Sequence, residues 1–370
     1  TTNFLRGKYS IPIWRRSGNV SIVLYLITIT LFPVIGYVIY ANSIGVLTSP
    51  IRKLQFFLFL PVTASLIYEN EISTQHIYST FLLIATLHIT VGIIRFFNID
   101  VALLAIRYES LITASTIDDV PARSAGMFGA IPWFGSLMAM IFIYAAVGLY
   151  NSEISIRLVV PLLMLSFLGI IMAISRTAMI MILPGIAVLV WYSAQQDGRL
   201  VVLGGTASAG FLIINQITGG GTLKRFAQMK NLITGNPSEI SALDTRFELW
   251  QSGIVVFREF APFGTLVSHS YVIDLVTDSL YISKLIQAGF VGVGTTLFLF
   301  GSIIACGFAE TIEKGSLFSG LLIMTVTIGF AIGGITMNIT GFVPAIIVFW
   351  ITIGITIGEK KRAMRVIVRV

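Results

Sequence analysis

The sequence predicts an all-α polytopic integral membrane protein, and three observations support this fold class. Of its 370 residues, 56% are hydrophobic and only 11% are charged. The mean hydropathy is +0.91. Apolar runs of about 20 residues recur along the chain, which is the length needed to cross a hydrocarbon core of about 30 Å. We expect about ten transmembrane helices and one large external loop with amphipathic interfacial helices.

Hydropathy places the expected spans in two groups. Residues 19–216 hold the first seven, and residues 279–358 hold the last three. Between the fifth and sixth spans, Ser175-Arg176 is the only hinge. The spans are expected at 19–41, 51–68, 76–97, 124–150, 157–175, 177–195, 199–216, 279–308, 316–337 and 340–358.

The two tails predict the orientation. Residues 1–18 and 359–370 are rich in Lys and Arg, and the positive-inside rule keeps such segments cytoplasmic. We expect the first apolar run to be a retained anchor and not a cleaved signal. Segment 217–278 then forms the large external, periplasmic loop. The net charge of +7 is ordinary for a protein in contact with anionic lipid, so it predicts no nucleic-acid partner.

An amphipathic helix is predicted inside this loop, over residues 241–257. Its apolar residues recur at spacings of four and three, which makes one stripe. Such a helix would lie along the membrane surface with Trp250 at headgroup depth and Arg246 at the edge of the stripe. The stripe consists of Leu243, Phe247, Trp250, Ile254 and Phe257.

Arginines on the expected external side are the strongest candidates for chemistry. Arg176 separates two long apolar runs, and Arg246 borders the amphipathic stripe. Each could be an anchor that pairs with headgroup phosphate. Alternatively, the two could clamp a diphosphate, because guanidinium binds phosphate in a bidentate fork and keeps its charge. Arg123 and Arg225 are further candidates for substrate binding.

The return into the membrane after the large loop carries candidate acid-base groups. Asp278 could cap the next helix, since acidic residues are favoured at helix starts. It could equally be a general base that takes a proton from a sugar hydroxyl. His269 is a competing base, and Tyr281 shares a helical face with Asp278. The one cysteine and the scattered histidines predict neither a disulfide nor a metal site.

Four stretches resemble, in order and spacing, the O-antigen ligase/polymerase superfamily. They are "RSAGMFGAIPWFG", "ISRTAMIMI", "TRFELWQSGIVVFREFAPFG" and "SHSYVIDLVTDSLYISKLIQAGFVG", and they lie within residues 122–294. Two positions depart from the family. Ala130-Ile131 stand where family members often have asparagines, and Asp278-Ser279 stand where ligases typically carry a His-Asn pair. The second departure is more similar to the Wzy-type polymerase branch.

The resemblance implies a fold of the GT-C-like type and a reaction on the outer face of the bacterial inner membrane. The donor would be a glycan on undecaprenyl pyrophosphate, and the acceptor a sugar hydroxyl of the next lipid-linked repeat unit. Similar enzymes invert configuration and need neither metal nor cofactor. Arg176 and Arg246 would stabilise the departing pyrophosphate, and Asp278 or His269 would deprotonate the acceptor. Trp250 and Tyr281 would stack on sugar or line the lipid entrance. A chain-length regulator is an implied partner.

Two other functions remain open. One is a ligase that moves finished glycan to lipid A core, against which Asp278 argues. The other is a non-enzymatic transporter or flippase of lipid-linked glycan. Transport predicts charges deep inside spans or helices interrupted near the bilayer midplane, and Arg95, near a span end, is the best such charge that hydropathy identifies.

Overall fold

The computed structural model describes residues 16–40, 47–96, 126–127, 131–151, 154–173, 175–195, 241–266, 279–312, 317–338 and 343–368. Within these ranges the chain is helical and contains no strand. The helices, in chain order, are α1 Arg16–Tyr40, α2 Thr48–Phe57, α3 Phe59–Tyr68, α4 Thr74–Phe96, α5 Ile131–Gly148, α6 Ile156–Ala173, α7 Arg176–Met181, α8 Leu183–Gln195, α9 Ser241–Glu259, α10 Leu280–Ile312, α11 Leu317–Thr336 and α12 Val343–Val368.

Eight helical segments in these ranges are long and apolar enough to cross a membrane, as expected of a multi-pass membrane protein. They correspond to α1, α2 together with α3, α4, α5, α6, α10, α11 and α12. A ninth apolar stretch, Thr177–Trp191, is shorter. The predicted span 199–216 lies outside the described residues, so ten spans remain a prediction, as does the large loop.

The predicted second and sixth spans each contain one turn residue. These are Leu58 between α2 and α3 and Ile182 between α7 and α8, and both keep right-handed helical backbone angles. Pro50–Tyr68 is therefore one helical segment of membrane-spanning length. In the fourth span the described helix begins at Ile131, because hydropathy reports the length of an apolar run and not where a helix begins inside it.

The helices belong to two compact units. The first comprises residues 1–73 and 244–370, and the second residues 74–243. In the second unit α5 is central, because it packs on α4, α6, α7 and α8 and is buried from Phe134 to Gly148. The Tyr78 hydroxyl donates a hydrogen bond to the Tyr144 carbonyl oxygen at 2.6 Å, which joins α4 to α5.

In the first unit, glycines bring α12 against α3. A Cβ at Gly354 would lie 2.7 Å from the Leu60 carbonyl oxygen, and one at Gly358 would lie 2.9 Å from that of Ala64. Small residues give this close backbone approach, on which helix association in lipid depends. An ion pair between Lys360 and Glu310 joins α12 to α10.

Helix α10 is broken inside its apolar run. Ala288 and Gly289 have non-helical backbone angles, and Gly289 has a φ of +58°. The segment after α9 fills the break. The Phe290 amide donates to the Pro262 carbonyl oxygen at 3.2 Å, and the Thr265 amide donates to the Ile286 carbonyl oxygen at 2.7 Å. Gly289 therefore serves the break, whereas Gly294 in the same run has open space around it.

The break predicts opposite effects of alanine at two nearby glycines. G289A should lower the stability of the fold by about 1–3 kcal/mol, because a positive φ is unfavourable for alanine and its Cβ would overlap the Pro262 carbonyl group. G294A is the matched control and should be equal to the wild type or up to about 1 kcal/mol more stable. Thermal unfolding of the purified variants in detergent measures both. Equal melting of the two would mean that the break is not required.

Candidate functional site

The structure describes only part of the candidate set. Among the sequence-predicted site residues, Arg123, Arg225, His269 and Asp278 lie outside the described residues, so their predicted roles stay predictions. The backbone of Arg176 and the side chains of Arg246, Trp250 and Tyr281 lie within them. Arg176 belongs to the second unit and the other three to the first.

Arg176 is the first residue of α7. Ser175 caps this helix, because its side-chain oxygen accepts a hydrogen bond from the Ala178 amide at 3.4 Å. Ser175 and Thr177 are both buried, and a Cβ on Gly135 of α5 would lie 2.8 Å from that of Ser175. The backbone at the predicted hinge is thus packed against α5. A cation is disfavoured in the first turn of a helix, so helix stability does not explain an arginine at this position.

Helix α9 forms where the periodicity predicts it, with two further residues at its end. Its apolar stripe lies only partly inside the unit. Phe257 is buried and packs edge-on against Phe290, with ring centroids 5.0 Å apart. Phe247 is 52% exposed and Ile254 is 37% exposed. An apolar helix face that the unit leaves uncovered is the form expected of a helix lying in the membrane interface.

Arg246 and Trp250 lie one turn apart on α9, and both are half-buried. Trp250 packs edge-on against Phe247 with ring centroids 5.4 Å apart. Its indole nitrogen is buried and has no hydrogen-bond acceptor among the described residues. Arg246 therefore lies one helical turn from an aromatic side chain, and its guanidinium is of a kind that binds negatively charged groups.

Tyr281 has a defined structural contact. Its hydroxyl donates to the Ala331 carbonyl oxygen of α11 at 2.9 Å, and the Ser279 hydroxyl donates to the Gly334 carbonyl oxygen at 3.4 Å. These bonds fix the first turn of α10 to α11. Ser279, which follows the predicted general base Asp278, is therefore held in place by α11. Stacking of Tyr281 on a sugar remains a prediction.

Two lysines that the motifs did not identify are prominent in the structure. Lys284 in the first part of α10 is only 3% exposed, and the side chain of Lys53 in α2 meets it. A signal for Lys284 was present, because a charge inside an apolar run is costly and marks a functional position by default. Within the described ranges, no three His, Cys, Asp or Glu residues come together as a metal site would require.

The chain matches no protein-family model and no curated protein.

The uncovered face of α9 predicts a difference in thiol labelling. In a Cys306→Ala background, single cysteines replace Phe247 on the apolar face and Gln251 on the polar face, both of them exposed in the structure. If lipid covers the apolar face, Q251C should react at least about tenfold faster than F247C with a charged maleimide, because apolar surroundings suppress the reactive thiolate. The protein is labelled in lipid nanodiscs, where both membrane faces are accessible. Equal rates would place α9 away from the lipid.

Proposed function

We propose that the chain polymerises lipid-linked oligosaccharide repeat units by glycosyl transfer at the outer face of the bacterial inner membrane. Helix α9 carries the proposal, since part of its apolar face is exposed while Arg246 and Trp250 lie on the same helix. A substrate with a polyprenyl tail and a diphosphate head needs both an apolar surface and fixed donors at the interface. The motif order from 122 to 294, with its resemblance to Wzy-type polymerases, adds the reaction class.

The reaction breaks the bond between the donor sugar and pyrophosphate. A hydroxyl of the acceptor repeat unit attacks the anomeric carbon, and its proton passes to Asp278 or His269. The glycosidic bond forms with inversion, and the pyrophosphate leaves with the bonding electron pair. Arg176 and Arg246 each stabilise the charge that grows on the leaving group, a contribution that is large in a site of low dielectric constant.

The assay uses the purified protein with an undecaprenyl-pyrophosphate-linked repeat unit, with and without EDTA, and separates the products on a gel. A ladder that survives EDTA supports a metal-independent polymerase. Transfer that occurs only after lipid A core is added would replace this proposal with a ligase. No new glycosidic bond under either condition would refute glycosyl transfer.

R176A and R246A should each lower polymer formation by about 10²–10³-fold, the range seen when one donor to a developing oxyanion is removed. The matched controls are R157A and R258A, because both residues are exposed and lie on α6 and on the last turn of α9, respectively. The controls should retain activity, and all four variants should express at the wild-type level. Full activity of R176A or R246A would remove that arginine from the proposed machinery.

Transport of the lipid-linked glycan is the second candidate, and a specific observation favours it. Helix α10 is interrupted inside its apolar run, and Lys284 is buried just before the break. Interrupted helices and charges inside spans are typical of transporters. In proteoliposomes, a transporter would move a fluorescent lipid-linked glycan between leaflets without forming a glycosidic bond. A polymerase would lengthen the glycan in the same vesicles.

A further inference from the structure

A cluster of hydrogen-bond donors is buried inside the first unit, where α1, α2 and α10 approach one another. The Lys284 amine lies over the face of the Tyr25 ring, 5.6 Å from its centroid. The Lys53 side chain reaches the same amine from α2. In the part of the chain that the structure describes, neither lysine contacts a carboxylate.

The surroundings supply little compensation for two cations. The Tyr25 ring attracts the Lys284 ammonium, yet Tyr25 is 2% exposed and the bundle around it is apolar. Buried charges in proteins are normally paired or hydrogen-bonded, because the loss of hydration is costly. Two like charges close to each other add repulsion to that cost. An anion bound to both amines would offset both penalties.

Trp350 provides an independent observation of the same kind. It is 1% exposed, and its indole N–H has no acceptor among the described residues. Its ring packs on Tyr25, with centroids 6.5 Å apart, and on Phe57 of α2, at 5.3 Å. Buried N–H groups are almost always satisfied. The side chains of Lys53, Lys284 and Trp350 therefore bring three N–H-bearing groups close to one another. Among the described residues, the indole has no acceptor and neither amine has a counter-ion.

The position of the cluster indicates how a ligand reaches it. Tyr25 is the tenth residue of the 25-residue α1, whereas Lys53 and Lys284 lie near the first residues of the spans Pro50–Tyr68 and Leu280–Ile312. The two amines are therefore close to one end of their own helices. Lys53 is only partly buried, and its neighbours Ile51 and Leu54 are exposed apolar residues. Lys53 thus stands between the exposed apolar residues of α2 and the buried Lys284.

We propose that a phosphate group binds between Lys53 and Lys284. Ammonium groups bind phosphate through charge-assisted hydrogen bonds, and no carboxylate is described here that would repel it. The phosphate belongs either to a lipid headgroup or to free phosphate, which share this chemistry. The site goes beyond glycosyl transfer, because it requires neither Arg176 nor Arg246, and its occupancy is measured without turnover.

The test measures equilibrium binding of three probes to the purified full chain in detergent: inorganic pyrophosphate, farnesyl pyrophosphate and phosphatidylglycerol. K284M and K53M should each weaken binding at least about tenfold, the loss expected for a hydrogen bond to a charged group. K361M is the matched control, because Lys361 also lies over a tyrosine ring, that of Tyr68, at 5.4 Å. It should bind as the wild type does.

Every outcome decides the proposal. Binding of all three probes, lost in K284M and K53M, supports a site open to free phosphate. The same loss seen only with the two lipids supports a headgroup site. No probe bound by the wild type, or equal binding by wild type, K284M and K53M, overturns it.

The methionine variants should unfold at or above the wild-type temperature, since each removes a buried charge, and K53M lies on a different helix in case K284M does not fold. Polymer formation is measured separately, so failure of glycosyl transfer does not affect this result.

Discussion

A helix break inside a membrane-spanning segment leaves backbone groups that lipid cannot satisfy, and the first unit is built around the solution to that problem. The segment that follows α9 supplies donors and acceptors directly at the break. Thr265 donates from both its amide and its hydroxyl to the Ile286 carbonyl oxygen, and Pro262 accepts from the Phe290 amide. Thr265 is fully buried. The interrupted α10 and the turn after α9 are therefore one structural element, separated in sequence by the residues between Leu266 and Ser279.

The sequence was sufficient for the elements whose signal is local. Apolar runs of membrane-spanning length identified the eight long helical segments, and periodic apolar residues identified α9. Both signals arise from the contrast between apolar and polar surroundings, which is written residue by residue. The hinge between the fifth and sixth spans was also predicted at Ser175-Arg176, because these two residues separate two apolar runs, whereas the capping of α7 by Ser175 is seen only in the structure.

The break in α10 was not predictable in the same way. Gly289 lies in a run with Gly292 and Gly294, and all three are compatible with close helix packing. They differ only in what surrounds them, since Gly289 meets Pro262, Gly292 meets the Lys284 carbonyl group, and Gly294 meets nothing. Which glycine takes a positive φ depends on a partner that is remote in sequence. The proximity of Lys53 and Lys284 is also non-local, because 231 positions separate them. In the sequence, Lys53 resembles an anchor at a span end and Lys284 an isolated charge.

Two lysine–tyrosine contacts among the described residues of the first unit differ in the charges around them. Lys361 of α12 lies over the ring of Tyr68 of α3. Its neighbour Lys360 pairs with Glu310. Lys284 lies over Tyr25 with a second lysine and no described acid. Like charges repel more strongly in surroundings of low dielectric constant than in water, and a phosphate bound to both amines would offset that repulsion.

The turn after α9 also has a mechanical consequence. Gly264 lies so close to the Ile286 carbonyl group that even a methyl group would not fit between them, and Ile286 is two residues from Lys284. A contact this tight transmits displacement with little slack. Tilting or sinking of α9, for instance when the lateral pressure of the surrounding lipid changes, would therefore act as a lever on the first part of α10 and shift the Lys284 amine relative to Tyr25. Helix α9 and the first part of α10, which carries the buried Lys284, are thus joined through the turn at Gly264.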